Sequence, residues 1–523
     1  LAATPAACMV NMSQTFLIGI PQLGSRFGMM RTMNEIGRLS AMFGKQAWDT
    51  KKGFSLKKVI QADAWVSLKD SPKLSDNYRK LLSELHDEGV IELTQMQAMA
   101  QLAETDMREK AVISRNKIKF VRGMGSIFHN AEIFNREVVA LAAMRMYAQD
   151  YAKKHNGKQP GKAALKEVAK RSVEKIHFNY SSENRALWMR GNARKMMFVF
   201  KTYSQNVINL MLSDFARMID GATPKERRTH AKALFTMLGA HMAAGGVLAL
   251  PLVGSVAWVM NMVLQMIGDD EERDVIAEMR SAVHEVNPVM EDVLFRGVFN
   301  TFFGIDVSNR IKLDGLIWRS PTREMKDKDL AWHYIEETLG AVFGTILKIT
   351  LGTMTIADGI KNDDGHKTMK GVTKVAPKFI ADPAKAMYRT MEGERNYRGD
   401  ELMPQADFIN AGVWRTVLQA AGFSPSRLTD IYDRNNAVSN RESKLADKRK
   451  SLMDRFYHAE ENNISTDGIW NEIDAFSEKY SEHEITFKQL MRGLKSLDRR
   501  RDSTVNGLYM PESKEESMSK YNF

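Results

Sequence analysis

Cations and aromatic rings alternate at Arg185, Trp188, Arg190, Arg194, Lys195, Phe198, Phe200, Lys201 and Tyr203. On one long helix, such a face pairs its charges with phosphates and stacks its rings on bases or lipid headgroups. Arg185, Arg190, Arg194, Lys195 and Lys201 are the expected polyanion contacts. An ordinary amphipathic helix with snorkelling basic residues has the same composition, so two readings fit this face. If it binds polyanions, it does so mainly through phosphates, with steep salt dependence and little base preference.

Metal, acyl-transfer and phosphoryl chemistry each demand fixed donors at fixed separations. The sequence contains no His-Glu-x-x-His, no Walker loop and no Gly-x-Ser-x-Gly, and Gly157, Gly161 and Lys162 lack phosphate-loop spacing. Asn362-Asp363-Asp364-Gly365-His366 suggests calcium, but with Gly365 at loop position six the first ligand falls on Ile360 and the twelfth on Gly371. Neither supplies a carboxylate, so a solvated turn is expected. Cys8 is the single cysteine, which excludes an intrachain disulfide and a Cys-based zinc site. No catalytic residue, metal or cofactor is expected, and the chain reads as a non-enzyme.

The elements that carry these residues are helices. Only 13 prolines occur in 523 residues, none between Pro72 and Pro160, and 34 methionines supply adaptable apolar faces. The fold class is therefore all-α, an extended multi-helix assembly, and the length calls for two to four packed units. Phe134, Val138, Leu141, Met144, Ala148 and Tyr151 trace one face of a helix, closed by a basic turn from Lys153 to Lys162. Lys plus Arg exceed Asp plus Glu by 75 to 64, a net +11, which favours acidic partners. Residues Leu1 to Ser25 carry no charge and should be buried or partner-bound, with Pro21, Gly24 and Gly28 breaking any helix. No basic region precedes the apolar Thr15 to Ile20 stretch, so no signal peptide is expected.

From Ala233 to Gly268 run thirty-six residues without Asp, Glu, Lys or Arg. A straight helix of that length spans roughly 54 Å, but Gly245-Gly246 and Pro251 divide it, so a kinked membrane-inserting segment or helical hairpin is expected. Its expected membrane-inserting residues are Leu234, Leu238, Val247, Leu250, Pro251, Val256, Trp258, Val263 and Ile267, covered by other helices or subunits until the segment enters a bilayer. His241, its one titratable group, reads as a satisfied polar residue rather than a proton relay. Lys225, Arg227, Arg228 and Lys232 precede the run and four acidic residues follow it, which puts the N-terminal flank on the cytoplasmic side of a single span.

A second apolar stretch, Thr338 to Ala357, contains Lys348 as its only charge. Gly340 and Gly344 there, like Gly239 and Ala243, have the small-residue spacing that lets helices approach closely and copies self-associate. Composition divides the chain into a Gly/Pro-broken N-terminal segment with an uncharged start (1–60), a helical domain with the basic aromatic helix (61–224), an apolar, membrane-inserting helical region (225–360), a polar loop (361–405) and a charged helical region with a disordered tail (406–523). In the last of these, Ile431, Val438, Leu445, Leu452 and Ala459 repeat at seven, one narrow stripe rather than a full coiled coil.

Phe178 to Arg185, Phe200 to Asn206, Gly221 to Arg228 and Ala243-Ala244-Gly245-Gly246 ahead of Leu250-Pro251 carry a resemblance. Together they make the chain similar to the PLxRFG family, the C-terminal part of very large proteins of tailed bacteriophages, over about residues 11 to 320. Asn11-Met12-Ser13-Gln14 and Pro21 to Gly28 match its opening, except that Gln22 separates Pro21 from Leu23 and two residues, Gly24-Ser25, precede Arg26. The resemblance implies an internal virion or ejection protein, packaged in the capsid and sent into the host envelope with the genome. Implied partners are other ejection, portal or core proteins, double-stranded DNA, the host inner membrane and further copies of the chain. Two other roles fit it: a soluble DNA-binding core protein, or a delivery module behind upstream enzymatic domains.

Overall fold

The computed structural model describes residues 5–50, 66–91, 115–178, 192–251, 275–311, 349–376, 378–396 and 399–505, with isolated positions from 253 to 260. The chain is mostly helical, as its proline and methionine usage predicts, and the strands described are two short antiparallel pairs. It divides into two compact units, the first reaching Tyr432 and the second holding the C-terminal helices from Asp433 onward.

The first unit is built around α1 (Pro5–Gln14), α2 (Ile20–Phe27), α3 (Met29–Thr50), α4 (Asp76–Asp87), α5 (Arg115–Lys154), α6 (Lys162–His177), α7 (Asn192–Asp220) and α8 (Pro224–Gly245). The axis is α5, against which α1, α3 and α6 pack. Every residue from Val138 to Met144 is buried, so the helix is surrounded rather than seated on one face, as the Phe134 to Tyr151 stripe had suggested. Its basic end turns through Asn156 and Gly157, both at positive φ, before α6 begins at Lys162.

From Pro5 onward the uncharged N-terminal stretch is largely buried, with Ala6, Cys8, Ile18 and Leu23 in the core and Met9 and Phe16 exposed. The expected break at Pro21 does not occur. The helical path continues from α1 through one π-helical turn, Thr15–Gly19, into α2; Pro21 follows that wider turn, and the helix ends at Gly28, at φ 100°.

A polar seam runs through this apolar core. Glu137 Oε1 accepts from Ser67 Oγ at 2.5 Å and meets His86 Nε2 at 2.7 Å, while Oε2 accepts from the Leu68 N–H at 2.7 Å. Arg136 donates to the carbonyls of Val90, His177 and Phe178, and Asn135 Nδ2 donates to Asn11. Asp214, also buried, accepts from Gln22 at 2.5 Å, meets His230 at 2.8 Å and pairs with Lys175, joining α2, α6, α7 and α8. Each buried charge thus fixes the register of several segments at once.

Burial, reinforced by the Arg136 charge, pushes His129 down to about 4 and His177 down to about 3. Both are neutral in the fold, whereas the unfolded chain takes up protons near 6.5. Stability from these groups is complete above pH 6.5 and is lost as pH falls towards 4 and then 3, by on the order of 3 kcal/mol for each group. Urea midpoints between pH 7 and pH 4 should fall accordingly, and His129→Phe should flatten that slope.

Pro224 and Thr223 start α8, the threonine hydroxyl accepting from the Glu226 N–H. The helix ends at Gly246, at φ 76°, five residues before Pro251. The kink in the apolar run is therefore set by Gly246 rather than by the proline. A Cβ at Gly246 would lie 2.1 Å from the Phe295 carbonyl carbon, and one at Gly297 (φ 82°) would lie 2.4 Å from the Ala244 oxygen. The two glycines let backbone meet backbone where α8 touches the elbow between α10 (Pro288–Arg296) and α11 (Val298–Phe303), just beyond α9 (Val275–Val286).

After α11, β1 (Ile305–Asp306) pairs antiparallel with Ser424–Pro425, and Ile305 packs with Ala6 and Phe423, tying the chain start to residues 418–425. Residues 361–405 are not a loop: helices Gly365–Val375 and Lys378–Glu392 occupy most of the stretch. The acidic turn before them is a helix cap, because Asp364 accepts from the Lys367 N–H, a bond that also holds its carboxyl below the usual range. Polar composition hid two helices whose buried positions, among the described residues, are Gly371 on the first and Ala381, Ala386 and Arg389 on the second. The ion pair Arg389–Glu394 at 2.6 Å closes the second.

In the second unit, the latter half of helix Ser426–Glu461 buries Leu445, Leu452, Phe456 and Ala459. Ile473, Phe476, Ile485 and Leu490, from helices Asp467–Lys479 and Phe487–Val505 and the segment between them, complete that core. Val438, from the same stripe, is exposed.

Candidate interaction surface

Apolar side chains on the first unit face outward at helical spacing. On α7, Leu212, Phe215 and Ile219 are exposed while Val207, Leu210 and Asp214 turn inward. On α8, the inward residues are Ala233, Leu234, Met237 and His241, and the exposed ones are Phe235 (63%), Gly239, Met242 and Ala243. Both helices carry apolar side chains on two sides, and among the described residues one side is buried and the other exposed.

That division places the residues of the uncharged run individually. Leu234 lies in the bundle core and Leu238 packs against it, because α8 closes the bundle against α2 and α7. Val247, Leu250 and Pro251 are half-buried in the turn after α8, and Val256 is exposed. Trp258, Val263 and Ile267 lie outside the described residues. Gly239 and Ala243 face outward, with open space where a Cβ on Gly239 would stand, so no helix among the described residues is packed at that position. Gly340 and Gly344 lie outside the described residues. Among the described residues, no helix is long and apolar enough to cross a membrane.

A second outward patch is aromatic. Phe299 stacks on Phe303 with centroids 5.6 Å apart, and Phe303 meets Trp414 edge-on at 6.2 Å. Phe302 (68% exposed) stands beside them on α11, and Val413 (81%) and Val417 flank the tryptophan on helix Val413–Ala420. The Arg415 guanidinium lies 5.3 Å from the Trp414 ring centre. Scattered surface leucines are ordinary, but rings in contact, rimmed by a cation, make the kind of anchor that interfaces use.

Sequence reasoning missed this patch, because periodicity scores long segments and these helices are 6 and 8 residues long. The local signal was Val298-Phe299-Asn300-Thr301-Phe302-Phe303 between two glycines, more aromatic surface than one turn and a half can bury.

The expected polyanion face is only partly placed. Arg185 and Arg190 lie outside the described residues; Arg194, Lys195 and Lys201 fall on α7, but their side chains lie outside the described ones. His241 donates from Nδ1 to the Met237 carbonyl at 2.8 Å, and burial lowers its pKa, which matches a satisfied neutral group. Burial also pushes the Cys8 thiol up to about 12, with the Glu132 charge adding, so it is not a nucleophile at neutral pH. Ser67, His86 and Glu137 resemble a triad in composition only. Hydroxyl and imidazole share one carboxylate oxygen, an arrangement that clamps three segments together. Among the described residues, no group of three or more His, Cys, Asp or Glu is placed to hold a metal ion.

What this surface can do chemically is bind apolar and anionic partners. Set against known proteins, the chain matches no family model, no curated protein and no solved structure.

Proposed function

We propose that this chain is an internal virion (ejection) protein of a tailed bacteriophage, delivered with the genome and assembled in several copies into a conduit across the host envelope. The observation that carries the reading is the double-sided apolar character of α7 and α8 with the aromatic patch at Phe299, Phe303 and Trp414. A single folded chain leaves these faces in water, and neighbouring copies or a bilayer cover them. The resemblance to the PLxRFG family points to the same setting. The uncharged run from Ala233 to Gly268 supplies the membrane-entering segment, pivoting at Gly246 and Pro251. On this reading, the chain sits in the capsid before infection and in the periplasm and inner membrane afterwards.

Sedimentation velocity on purified chain, with and without detergent, tests the assembly. A discrete oligomer is expected, and a monomer at all concentrations in both conditions contradicts it. The excess of basic residues favours one further reading, a soluble DNA-binding core protein. For that role, replacing Arg190, Arg194 and Lys195 with Gln should flatten the salt slope of DNA binding by up to about three units, one per phosphate neutralised.

A further inference from the structure

The second unit separates its charges by helix. From Asp467 to Glu484, six carboxylates stand against one lysine, and from Lys488 to Arg501 six lysines and arginines stand against one aspartate. Helix Asp467–Lys479 turns Ile473 and Phe476 into the core, which leaves Asp467, Asp474 and Glu478 exposed along its other side. Helix Phe487–Val505 buries Leu490 and lays Leu494 on the same core, and its exposed side carries Lys488, Arg492 and Lys495. The spacings match. The acidic stripe falls at i, i+7 and i+11, and the basic one at i, i+4 and i+7, with Arg499 next in sequence at i+11. Elsewhere in this unit opposite charges meet: Arg455 holds Glu472 at 2.6 Å, and His483 lies 2.9 Å from Glu442. Among the described residues, however, Asp474, Glu478, Lys488, Arg492 and Lys495 have no ion-pair partner, so these stripes on consecutive helices do not neutralise each other. Helix stability does not account for them either. Glu478 lies in the last turn of its helix and Lys488 in the first turn of its own, the ends where the macrodipole opposes each charge.

We infer that the basic stripe of one copy docks on the acidic stripe of the next, a charge-complementary contact between copies of this chain. A nucleic acid would answer the basic stripe alone, whereas a second copy supplies the complement of both. The contact joins two different faces, so it repeats head to tail and either closes into a ring or extends as a filament. It sets register and speeds encounter, and salt weakens it. The inference rests on the several-copy assembly proposed above, to which it adds a polar interface besides the apolar faces of α7 and α8.

Sedimentation velocity on the full chain tests it with two charge-reversed variants. One combines Lys488→Glu, Arg492→Glu and Lys495→Glu, and the other combines Asp474→Lys and Glu478→Lys. All five positions are exposed, so both variants should keep the wild-type urea midpoint. Wild-type association should weaken about tenfold or more between about 50 mM and about 500 mM salt. Each variant alone should associate about tenfold less than wild type at the lower salt, because like charges then face each other. Mixed together, the two should recover the association, since one presents two acidic faces and the other two basic ones. Assembly of both variants at wild-type strength overturns this contact while leaving several-copy assembly standing on the apolar faces. Failure of two folded variants to recover on mixing overturns it as well. A wild type that stays monomeric in every condition overturns the assembly and the contact together. Unchanged assembly, with loss of binding to a random-sequence DNA duplex in the first variant, gives the basic stripe to nucleic acid and overturns the inference.

Discussion

Glu137→Ala should lower the stability of the first unit's bundle by about 3–5 kcal/mol, read from its urea midpoint. The carboxylate is fully buried and holds Ser67, the Leu68 N–H and His86 on the central helix. Its removal takes one buried acceptor from the Ser67 hydroxyl, the Leu68 N–H and the His86 ring at once, and a buried donor that loses its acceptor costs about 1–3 kcal/mol. Glu137→Gln keeps the shape and one acceptor, and should recover part of the loss. Glu167→Ala, which breaks only the exposed pair with Arg171, should change stability by less than about 0.5 kcal/mol and serves as the control. Because the two compact units can unfold separately, the measurement should follow a probe within the bundle, such as protection of the Leu141 and Met144 amides.

Replacing Phe303 and Trp414 together by alanine should weaken association, whether with vesicles or between copies, by about ten- to a hundredfold. The two rings contact each other at 6.2 Å and are both substantially exposed, so what they lose on truncation is chiefly the surface offered to a partner. Stability should fall by only about 1 kcal/mol for the lost edge-to-face contact. A variant that associates normally, or one that loses stability in proportion to association, assigns the rings to packing rather than docking. Vesicle binding isotherms with parallel urea melts on the same preparations separate these results.

The helical class was legible in the sequence because proline is nearly absent from the long helices, and α5 and α8 start or stop at the turns that composition marked. The centre of the bundle was harder to see. Val138 to Met144 is buried on every side, and a continuous apolar run has no period to read. Nor does a single sequence show that Ser67, His86 and Glu137 meet, since 51 and 70 residues separate the partners. The helices between Gly365 and Glu392 were obscured by a polar composition around a small buried stripe, although Asp364 ahead of Gly365 was a readable cap. For the interaction surface, the uncharged run could be read but its sidedness could not. Leu234 and Phe235 are neighbours of equal apolarity, and only packing against α2 and α7 sends the first inward and leaves the second in solvent.

The most direct test of the proposed entry into the host envelope is to mix the purified protein with anionic liposomes, float them, wash at high salt and treat with protease. The account predicts that the chain stays with the lipid through the wash and that residues 233–268 are recovered as a protected fragment bounded by the Lys232 and Asp269 flanks. Release by salt, or complete cleavage within 233–268, contradicts insertion and returns this stretch to the core of a helical domain that meets its partners in water.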